Sequence, residues 1–398
     1  MNQPVSKIPY AHIEAEPFYP HGYSPRKFEK RPTGITIQKV IAYGLTLFLA
    51  TILLFALPIF IKLVANSLVK SGIVEKSSNF DDKWNAFYGK YDKNYPTSRE
   101  EGHRKNIFAA NIEKNAKVNE YTDWTDAEFA AAYLMPYNRS RFSAIRDYTL
   151  VKELPKTMRK QMAETAEGPL PDFFDWREKE GVVAPVACQN HCGSCYSFGS
   201  TATMEAAYAI ASGKPVVSFS KQEILDCNLE NNGCNGGEPH IVFKYAHQNG
   251  LASENDYPYV AKRQGECHAN KSKNVDRFYV KNAYYLPQEE DAIMEWIYYN
   301  GPVAVGTMKV PKSMKNYDMG VYSPNDYECE YEVLGLHSLS IVGWGTEVDG
   351  MKYWIVKNSW NAKWGEQGYI RFERGRNACN IESEPIGIIM HPDSKIRH

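Results

Sequence analysis

The sequence has almost no net charge. Its 398 residues include 46 lysines and arginines against 47 aspartates and glutamates, which gives a formal net charge of -1. Proteins that bind nucleic acid concentrate basic residues on one face, and the second half of this chain contains no basic run. We therefore expect no nucleic-acid partner. Internal repeats are also absent, and 43% apolar residues suffice for a large core in two or three domains.

Long uncharged stretches are equally scarce, and one stands out. The run from Val40 to Ile61 contains no charged side chain, and about 20 apolar residues are enough for a helix to cross a bilayer. A buried core helix is the alternative. A signal peptide starts closer to the N-terminus, although small residues after the run leave cleavage open. We predict a transmembrane helix over residues 40–61.

The charges on the two sides of this run predict its orientation. Five basic residues lie just before it and three just after it: Arg26, Lys27, Lys30, Arg31 and Lys39, then Lys62, Lys70 and Lys76. Because basic residues mark the cytosolic side, we expect a type II anchor with a disordered, proline-rich cytosolic tail over 1–39. The cysteines and the glycosylation sequons at Asn138 and Asn270 would then lie in an endolysosomal, vacuolar or secretory compartment or outside the cell.

The rest of the chain divides into three parts. Residues 78–132 contain an aromatic stripe at helical spacing: Phe80, Trp84, Phe87, Tyr88 and Tyr91. Residues 133–169 show no periodicity and are interpreted as a linker. Residues 170–392 begin with a segment rich in Gly, Cys and Trp, which is followed by a small-residue-rich helix over 197–211 that ends at Gly213. They continue as short strand-like runs separated by turns. This order predicts an α+β fold.

The stretch "QNHCGSCYSFGS", residues 189–200, has two cysteines, and Cys188 precedes it. A structural zinc site needs paired ligands, and no second CxxC motif is present. A redox CxxC needs a preceding strand in a βαβ unit, which is also missing. We therefore expect no metal and no cofactor.

A catalytic nucleophile fits this stretch better. Cys195 lies where a glycine-rich turn becomes a helix, and the positive end of a helix stabilises a thiolate. Such a nucleophile also needs a histidine partner, a group that orients the histidine, and hydrogen-bond donors for the developing oxyanion.

Four motifs in order extend this interpretation: "DWREKEGVVAPVACQNHCGSCYSFGS", "NNGCNGG", "LHSLSIVGWG" and "YWIVKNSWNAKWGEQGYIRF". With them, residues 80–390 resemble the papain family of cysteine proteases, of the cathepsin L type. The resemblance implies a two-lobed fold with a helical lobe and a β-barrel-like lobe. It also implies Cys195 as nucleophile, His337 as its partner, Asn358 as the orienting group, and Gln189 with the Cys195 backbone N–H as oxyanion donors. A buried structural histidine is the alternative for His337.

Local pairing supports the His337–Asn358 contact. Asp349-Gly350 is a turn signal between two strand-like runs. If the two strands paired symmetrically about this turn, His337 would lie opposite Ala362 rather than Asn358. A bulge or a longer turn is therefore required, and the glycines at 343 and 345 permit one.

The resemblance also implies a disulfide framework. The implied pairs are Cys192–Cys234, Cys227–Cys267 and Cys329–Cys379. Cys195 stays free to react, and Cys188 is left over. Two interpretations of Cys188 remain open: a free thiol packed beside the active-site loop, or a redox brake that bonds to Cys195 or to another chain.

Residues 78–132 resemble the inhibitory propeptide of this family. Most of its helical motif is present: Glu100, Arg104, Phe108, Asn111 and Asn119. Asn115 and a shorter gap before "NEYTDWTDAEF" depart from it. Such a segment blocks the cleft until it is cleaved, and its many charges indicate release at acid pH. Cleavage in the 133–169 linker would start the mature chain near residues 169–172 and remove the anchor.

The resemblance places the following residues around the substrate: Gly236, Gly237, Glu238, Pro239, Gly306, Gly335, Glu384 and Trp360. Glu384 would lie on the floor of the S2 pocket, where a carboxylate pairs with arginine at P2. We therefore expect basic as well as apolar P2 residues. The alternative is that Glu238 and Glu384 both point into solvent.

Three functions remain in competition. The first is an active, monomeric endopeptidase, and the second is a catalytically weak relative that binds or inhibits. An exopeptidase would need an additional loop at one end of the cleft, and no obvious insertion is present. Tyr196, Leu336 and Asn361 depart from the usual family residues without removing a catalytic group.

Overall fold

The described residues in this computed structural model are 73–113, 117–137, 150–164, 168–269, 275–393 and 395–396. The predicted tail 1–39, the apolar run 40–61 and the sequons at Asn138 and Asn270 lie outside these ranges.

Helices dominate the first half of the described chain, and strands with short helices between some of them dominate the second half. The α-helices are α1 Ile73–Lys90, α2 Ser98–Glu113, α3 Asp126–Tyr133, α4 Lys156–Glu164, α5 Cys195–Ser212, α6 Lys221–Cys227, α7 Pro239–Asn249, α8 Glu290–Asn300, α9 Lys312–Lys315 and α10 Asp326–Tyr331. Short 3₁₀ turns cover Trp176–Glu178, Gly233–Asn235 and Ala378–Asn380.

The predicted membrane localisation is wrong for the part of the chain that the structure describes. No helix there is long and apolar enough to cross a bilayer. The two 18-residue helices show why: α1 carries acidic and basic side chains along its length, and α5 contains Glu205 with several serines and threonines. One such charge at the bilayer centre costs about 2.5 kcal/mol or more. The membrane localisation is therefore withdrawn, and the run 40–61 that suggested it lies outside the described residues.

The strands confirm the expected α+β class. They are β1 Lys152–Glu153, β2 Phe174–Asp175, β3 Asp276–Arg277, β4 Val280–Tyr285, β5 Val303–Pro311, β6 Val321–Tyr322, β7 Val333–Thr346, β8 Lys352–Lys357, β9 Tyr369–Glu373, β10 Pro385–Met390 and β11 Lys395–Ile396. Among the described residues, one sheet has the order β1-β4-β10-β5-β7-β8-β9-β6, with β2 beside β7. Its central strands pair antiparallel, whereas the two outer pairs, β1–β4 and β6–β9, are parallel.

Two hydrophobic cores are built mostly from residues 170–392, which the resemblance implies to be the protease domain and which are called the catalytic part below. One covers the sheet and α8 and is built around buried tryptophans such as Trp296, Trp344 and Trp354. The other surrounds α5 and contains Tyr196, Phe243 and their neighbours. α5 packs against β7, which contributes to the first core, and against β10, which contributes to the second. Helix α5 therefore contacts strands of both cores.

The segment before the catalytic part is an ordered helical unit. Trp84 and Phe87 of α1 pack on Phe108 of α2 in a small aromatic core, as the aromatic stripe predicts. Helix α3 starts with a capping box in which Thr125 and Glu128 exchange hydrogen bonds. This cap fixes where the chain turns toward the catalytic part.

The predicted linker is more structured than its sequence indicated. β1 adds to the edge of the sheet beside β4, and Val151 just before it is buried. Helix α4 follows, with Met162 buried and Arg159 paired to Glu289 and Glu295. Met158 and Met162 stand one helical turn apart, and this short apolar spacing was missed because charged residues surround it.

The structure contains the three cystines that the resemblance implies. They join Cys192 to Cys234, Cys227 to Cys267 and Cys329 to Cys379. Each closes a loop of some tens of residues, and a disulfide of this kind typically stabilises a fold by about 2–4 kcal/mol. Cys188 and Cys195 are free.

Candidate active site

Cys195 is the first residue of α5, directly after the N-cap Ser194. The turn before it is tied down by the Cys192–Cys234 disulfide. A Cβ atom at Gly193 would lie 2.6 Å from the Cys234 carbonyl oxygen, so only glycine fits there. The thiol therefore stands at the positive end of an 18-residue helix.

Helix α5 approaches strand β7 at a second glycine. A Cβ atom at Gly199 would lie 3.0 Å from the backbone nitrogen of Leu339. This close approach places the thiol of Cys195 beside the backbone N–H of Ser338, which would stabilise the thiolate. His337 is the residue before Ser338, so α5 and β7 together bring the two reactive side chains into one place.

His337 and Asn358 come together across β7 and the end of β8. The register between these strands shifts by one residue between Ile341 and Gly343, a bulge at one of the two predicted glycines. The pairing ends at Ser340 and Lys357, and His337 meets Asn358 through its side chain beyond that pair. The Nε2 atom of His337 lies 2.8 Å from Oδ1 of Asn358, and Oδ1 also accepts the backbone N–H of Ser359. The imidazole is thereby held in one orientation.

The other imidazole nitrogen, Nδ1, is available for proton transfer. Nδ1 of His337 has no hydrogen-bond partner within the described ranges, although the ring is fully buried. Trp360 lies against the imidazole with 4.7 Å between ring centroids and is itself buried. It therefore screens the His337–Asn358 bond from water.

Gln189 holds a peptide carbonyl. Its Nε2 donates to the carbonyl oxygens of Cys192 and Tyr133, both at 2.9 Å. Its Oε1 accepts the Ser359 hydroxyl at 2.7 Å, which fixes the orientation of the amide. Tyr133 belongs to the segment before the catalytic part, so the donor that could stabilise an oxyanion is occupied by the chain's own backbone.

Burial keeps both reactive groups neutral in this form. It raises the pKa of the Cys195 thiol to about 12, although backbone N–H groups of Ser338 and Tyr196 act in the opposite direction. It also lowers the pKa of His337 to about 4, against the opposing hydrogen bond to Asn358. Around neutral pH the pair is therefore thiol and imidazole, rather than thiolate and imidazolium.

The residues after α3 fill the cleft. Met135 exchanges two backbone hydrogen bonds of 2.9 Å with Leu336, directly before His337. The Met135 side chain lies against Gly236 and its sulfur accepts the Gly237 N–H at 3.4 Å. Leu134 packs against Gly335, and a Cβ atom added at Gly335 would lie 2.7 Å from the Leu134 Cβ. These contacts explain why the nucleophile is inaccessible.

The residues that the resemblance assigns to S2 form one group. Gly306 lies beside Glu384, whose Oε2 would be 2.7 Å from a Cβ added at 306. Thr307 donates its hydroxyl to Glu238 at 2.9 Å, and Pro239 starts α7 directly afterwards. Burial, together with the charge of Glu384, raises the pKa of Glu238 to about 7, although the hydrogen bond from Thr307 acts in the opposite direction. Neither glutamate points freely into solvent in this form.

Sequence reasoning missed several residues at the site: Tyr133, Leu134, Met135 and Thr307. The apolar pair 134–135 follows directly after a helix and precedes a proline, which was a usable signal for a segment that ends in the cleft. Nothing in the sequence around Thr307 distinguishes it from an ordinary strand residue.

Cys188 lies beside the site without belonging to it. Its backbone pairs with Trp360, and its sulfur accepts the Asn190 N–H at 3.4 Å. Burial raises the pKa of this thiol, which lowers its reactivity. These contacts favour the packed free thiol over the redox brake.

Comparison with known proteins gives a consistent match. The model of the papain family of cysteine proteases matches residues 170–389. A cathepsin L-like peptidase of Aedes aegypti is 35% identical, and the match covers 75% of this chain and 90% of that protein. Cysteine proteinase 15A of Pisum sativum is 34% identical, over 77% of this chain and 85% of the relative.

Solved structures of precursors also match. The proform of a ragweed pollen cysteine protease has a TM-score of 0.64 and 31% identity, covering 79% of this chain and 95% of that one. Digestive procathepsin L2 of Tenebrio molitor has a TM-score of 0.65 and 29% identity, covering 78% and 99%. Together with the cysteine at the start of α5 and its His–Asn pair, these matches establish that the chain belongs to the papain family and is a cysteine-type peptidase.

Proposed function

We propose that this chain is the latent precursor of an endopeptidase whose nucleophile is Cys195. The observation that carries the proposal is the hydrogen bond from Gln189 to the Tyr133 carbonyl oxygen, beside Cys195 and the His337–Asn358 pair. A peptide carbonyl already lies against the donor that a substrate carbonyl would need. An open cleft would present the same donor to other peptides.

The reaction then follows from the roles of these groups. The Cys195 thiolate attacks the scissile carbonyl carbon, and Gln189 with the Cys195 backbone N–H stabilises the negative oxygen. Imidazolium of His337 gives its proton to the leaving amine, which yields a thioester and the first product. Water, deprotonated by the imidazole, then hydrolyses the thioester and restores the thiol. Asn358 holds the imidazole in place through both halves.

Latency follows from the segment that ends at Met135. Residues 78–132 act as the inhibitor, and cleavage within 133–169 with a mature start near residues 169–172 releases it. Removal of Leu134 and Met135 would rehydrate Cys195 and His337. Because burial is the main cause of both pKa shifts, opening the cleft favours the thiolate–imidazolium pair.

Glu384 and Glu238 supply the proposed S2 preference. Two carboxylates beside Gly306 provide a site for arginine or lysine at P2, and the neighbouring apolar surface accepts leucine or phenylalanine. The Met135 side chain against Gly236 and Gly237 supports the idea that an apolar group fits this part of the cleft.

A test separates this proposal from a catalytically weak binding protein. The processed chain should hydrolyse an internally quenched peptide and bind one equivalent of an epoxide thiol trap, whereas Cys195→Ala should do neither. Cys188→Ser, which removes the other free thiol, should retain both properties. Absence of turnover by the processed wild-type chain, with normal peptide binding, would favour the binding protein.

A further inference from the structure

Lys315 is a buried cation outside the catalytic group. It ends α9, and its side chain is only 1% exposed. Its Nζ donates to the carboxylate of Asp126 at 2.7 Å and to the carbonyl oxygen of Trp124 at 3.0 Å. An ammonium group this far from water needs such partners, because removing one partner of a buried ion pair costs several kcal/mol.

Both partners of Lys315 lie in residues 78–135, the segment that blocks the cleft and is called the blocking segment below. Asp126 starts α3, and Trp124 immediately precedes its cap. Under the proposed function this segment leaves when the enzyme is activated. Lys315 then loses the Asp126 carboxylate and the Trp124 carbonyl oxygen together. Its own position is kept, because Trp364 Nε1 donates to the Lys315 carbonyl oxygen.

Lys315 lies on one particular side of the nucleophile. Trp364 stacks edge-on against Trp360 at 4.8 Å, and Trp360 lies against His337 at 4.7 Å. The blocking segment gives the order of these groups: Phe129 packs on Trp360, Tyr133 meets the Gln189 amide, and Met135 lies against Gly236. Gln189 therefore lies between the tryptophans and the S2 group along this path. A substrate whose P2 side chain is in S2 therefore places its leaving-group residues along Trp360 toward Lys315.

We propose that Lys315 forms a subsite for an acidic side chain of the substrate, on the leaving-group side of the scissile bond. The inference rests on the proposed function, because it applies only to the open cleft. The Asp126 carboxylate occupies the place that the carboxylate of a substrate aspartate or glutamate would take. The Trp124 carbonyl oxygen occupies the place of a backbone carbonyl oxygen of the substrate.

The surroundings leave room for such a ligand. A cavity of about 630 Å³ adjoins this place and is lined by residues of both the blocking segment and the catalytic part. Lys312 is a second cation on its wall. The carboxylate of Glu328, also on the wall, is engaged in capping its own helix at the Asn325 N–H. Glu332 is a second acidic side chain of the catalytic part on this wall. The preference for an anionic group therefore rests on the buried Nζ of Lys315, which loses the Asp126 carboxylate, rather than on the net charge of the cavity.

The experiment compares matched peptides on the processed enzyme. The internally quenched peptides share one sequence on the N-terminal side of the scissile bond. They carry either aspartate or asparagine at P2′, P3′ or P4′ in turn. Rates are divided by the concentration of sites titrated with an epoxide inhibitor, so that a poorly folded variant does not distort them. At one position kcat/KM for aspartate should exceed that for asparagine about fivefold at low salt, and added salt should reduce this preference.

Variants assign the preference to one side chain. Lys315→Met should bring the aspartate-to-asparagine ratio to about one, and Lys315→Arg, which keeps the charge, should retain most of it. Lys352→Met removes an exposed lysine that pairs with Glu290 away from the cleft and should leave the ratio unchanged. No preference at any position, or an unchanged ratio in Lys315→Met, would overturn the subsite alone. Failure of the processed enzyme to cleave any peptide would instead overturn the proposed function.

Discussion

At the scale of single residues, the state of Cys195 depends on whether water reaches it. A thiol at a helix start is normally acidified, yet burial beneath residues 134–135 raises the pKa of Cys195 to about 12. His337 loses its basicity for the same reason, with a pKa near 4. The blocking segment therefore acts on the chemistry itself as well as on access to it.

This predicts a difference in thiol reactivity between the two forms. With Cys188→Ser as the common background, alkylation of Cys195 by iodoacetamide at pH 6 should be at least about 100-fold slower in the precursor than in the processed enzyme, because only the thiolate reacts. The rate in the precursor should still rise with pH above 8, toward the pKa near 12. Equal rates in the two forms would contradict this account.

The second residue-scale prediction concerns P2 selectivity and pH. Burial, together with the charge of Glu384, raises the pKa of Glu238 to about 7 in the precursor. Glu384 stays beside it after processing, so its pKa should remain above the ordinary value of 4.5 in the open cleft. The ratio of kcat/KM for arginine over leucine at P2 should therefore rise with pH between about 5 and 8. Glu238→Gln should remove the rise, and Glu384→Gln should lower the ratio at every pH, by about fivefold. Unchanged ratios in Glu384→Gln would exclude its role in S2.

At the scale of elements, Arg104 connects the helices of the blocking segment. It pairs with Glu100 in its own helix and with Glu128 in α3, and it also donates to the Asp123 carbonyl oxygen. Burial alone would raise the pKa of Glu128, but hydrogen bonds from Thr125 and Arg104 hold it below its ordinary value of 4.5. The pairing thus contributes stability above about pH 4.5 and loses it as the pH falls through the lowered pKa.

This predicts how the precursor is activated. Peptidase activity of the incubated precursor should appear faster as the pH falls below about 4.5. Arg104→Met should give several-fold faster activation already at pH 5.5. The matched control is Arg99→Met, since Arg99 is an exposed arginine of the same helix. If Arg104→Met and Arg99→Met activate at the same rate, the connection through Arg104 does not maintain latency.

At the scale of the whole molecule, a buried charge cluster joins the two cores. Glu205 of α5 accepts from Lys221 at 2.7 Å. Burial lowers the pKa of Lys357 on β8 to about 8, and the Glu205 charge counteracts that shift. Since a lysine with a depressed pKa destabilises the fold as the pH drops toward that pKa, Glu205 limits the loss at neutral pH.

Removing Glu205 should therefore be costly. Glu205→Gln in a Cys195→Ala background should lower the free energy of unfolding by about 3 kcal/mol, and by more at pH 7 than at pH 9. Urea denaturation of the precursor measures this. Glu230→Gln, which removes an exposed partner of Lys244, should cost less than about 1 kcal/mol. Equal losses for the two variants would show that the cluster has no special role.

Much of the molecule was predictable because local signals agreed. The strand-like runs, the helix that starts at Cys195 and the need for a bulge near Gly343 all appear in the structure. The path of residues 133–137, the helix α4 and the edge strand β1 did not follow from the sequence. These elements are short, and tertiary contacts with the catalytic part, rather than local propensity, decide their conformation.

By itself, the sequence determined the α+β class, the family and the residues that are proposed to carry the chemistry, because these depend on residue type and on spacing along the chain. Tertiary structure decided that Tyr133 occupies the Gln189 donor, that burial neutralises Cys195 and His337, and that Lys315 meets Asp126. Each of these depends on which groups distant in sequence exclude water from one another, and burial sets both the pKa values and the strength of the ion pairs.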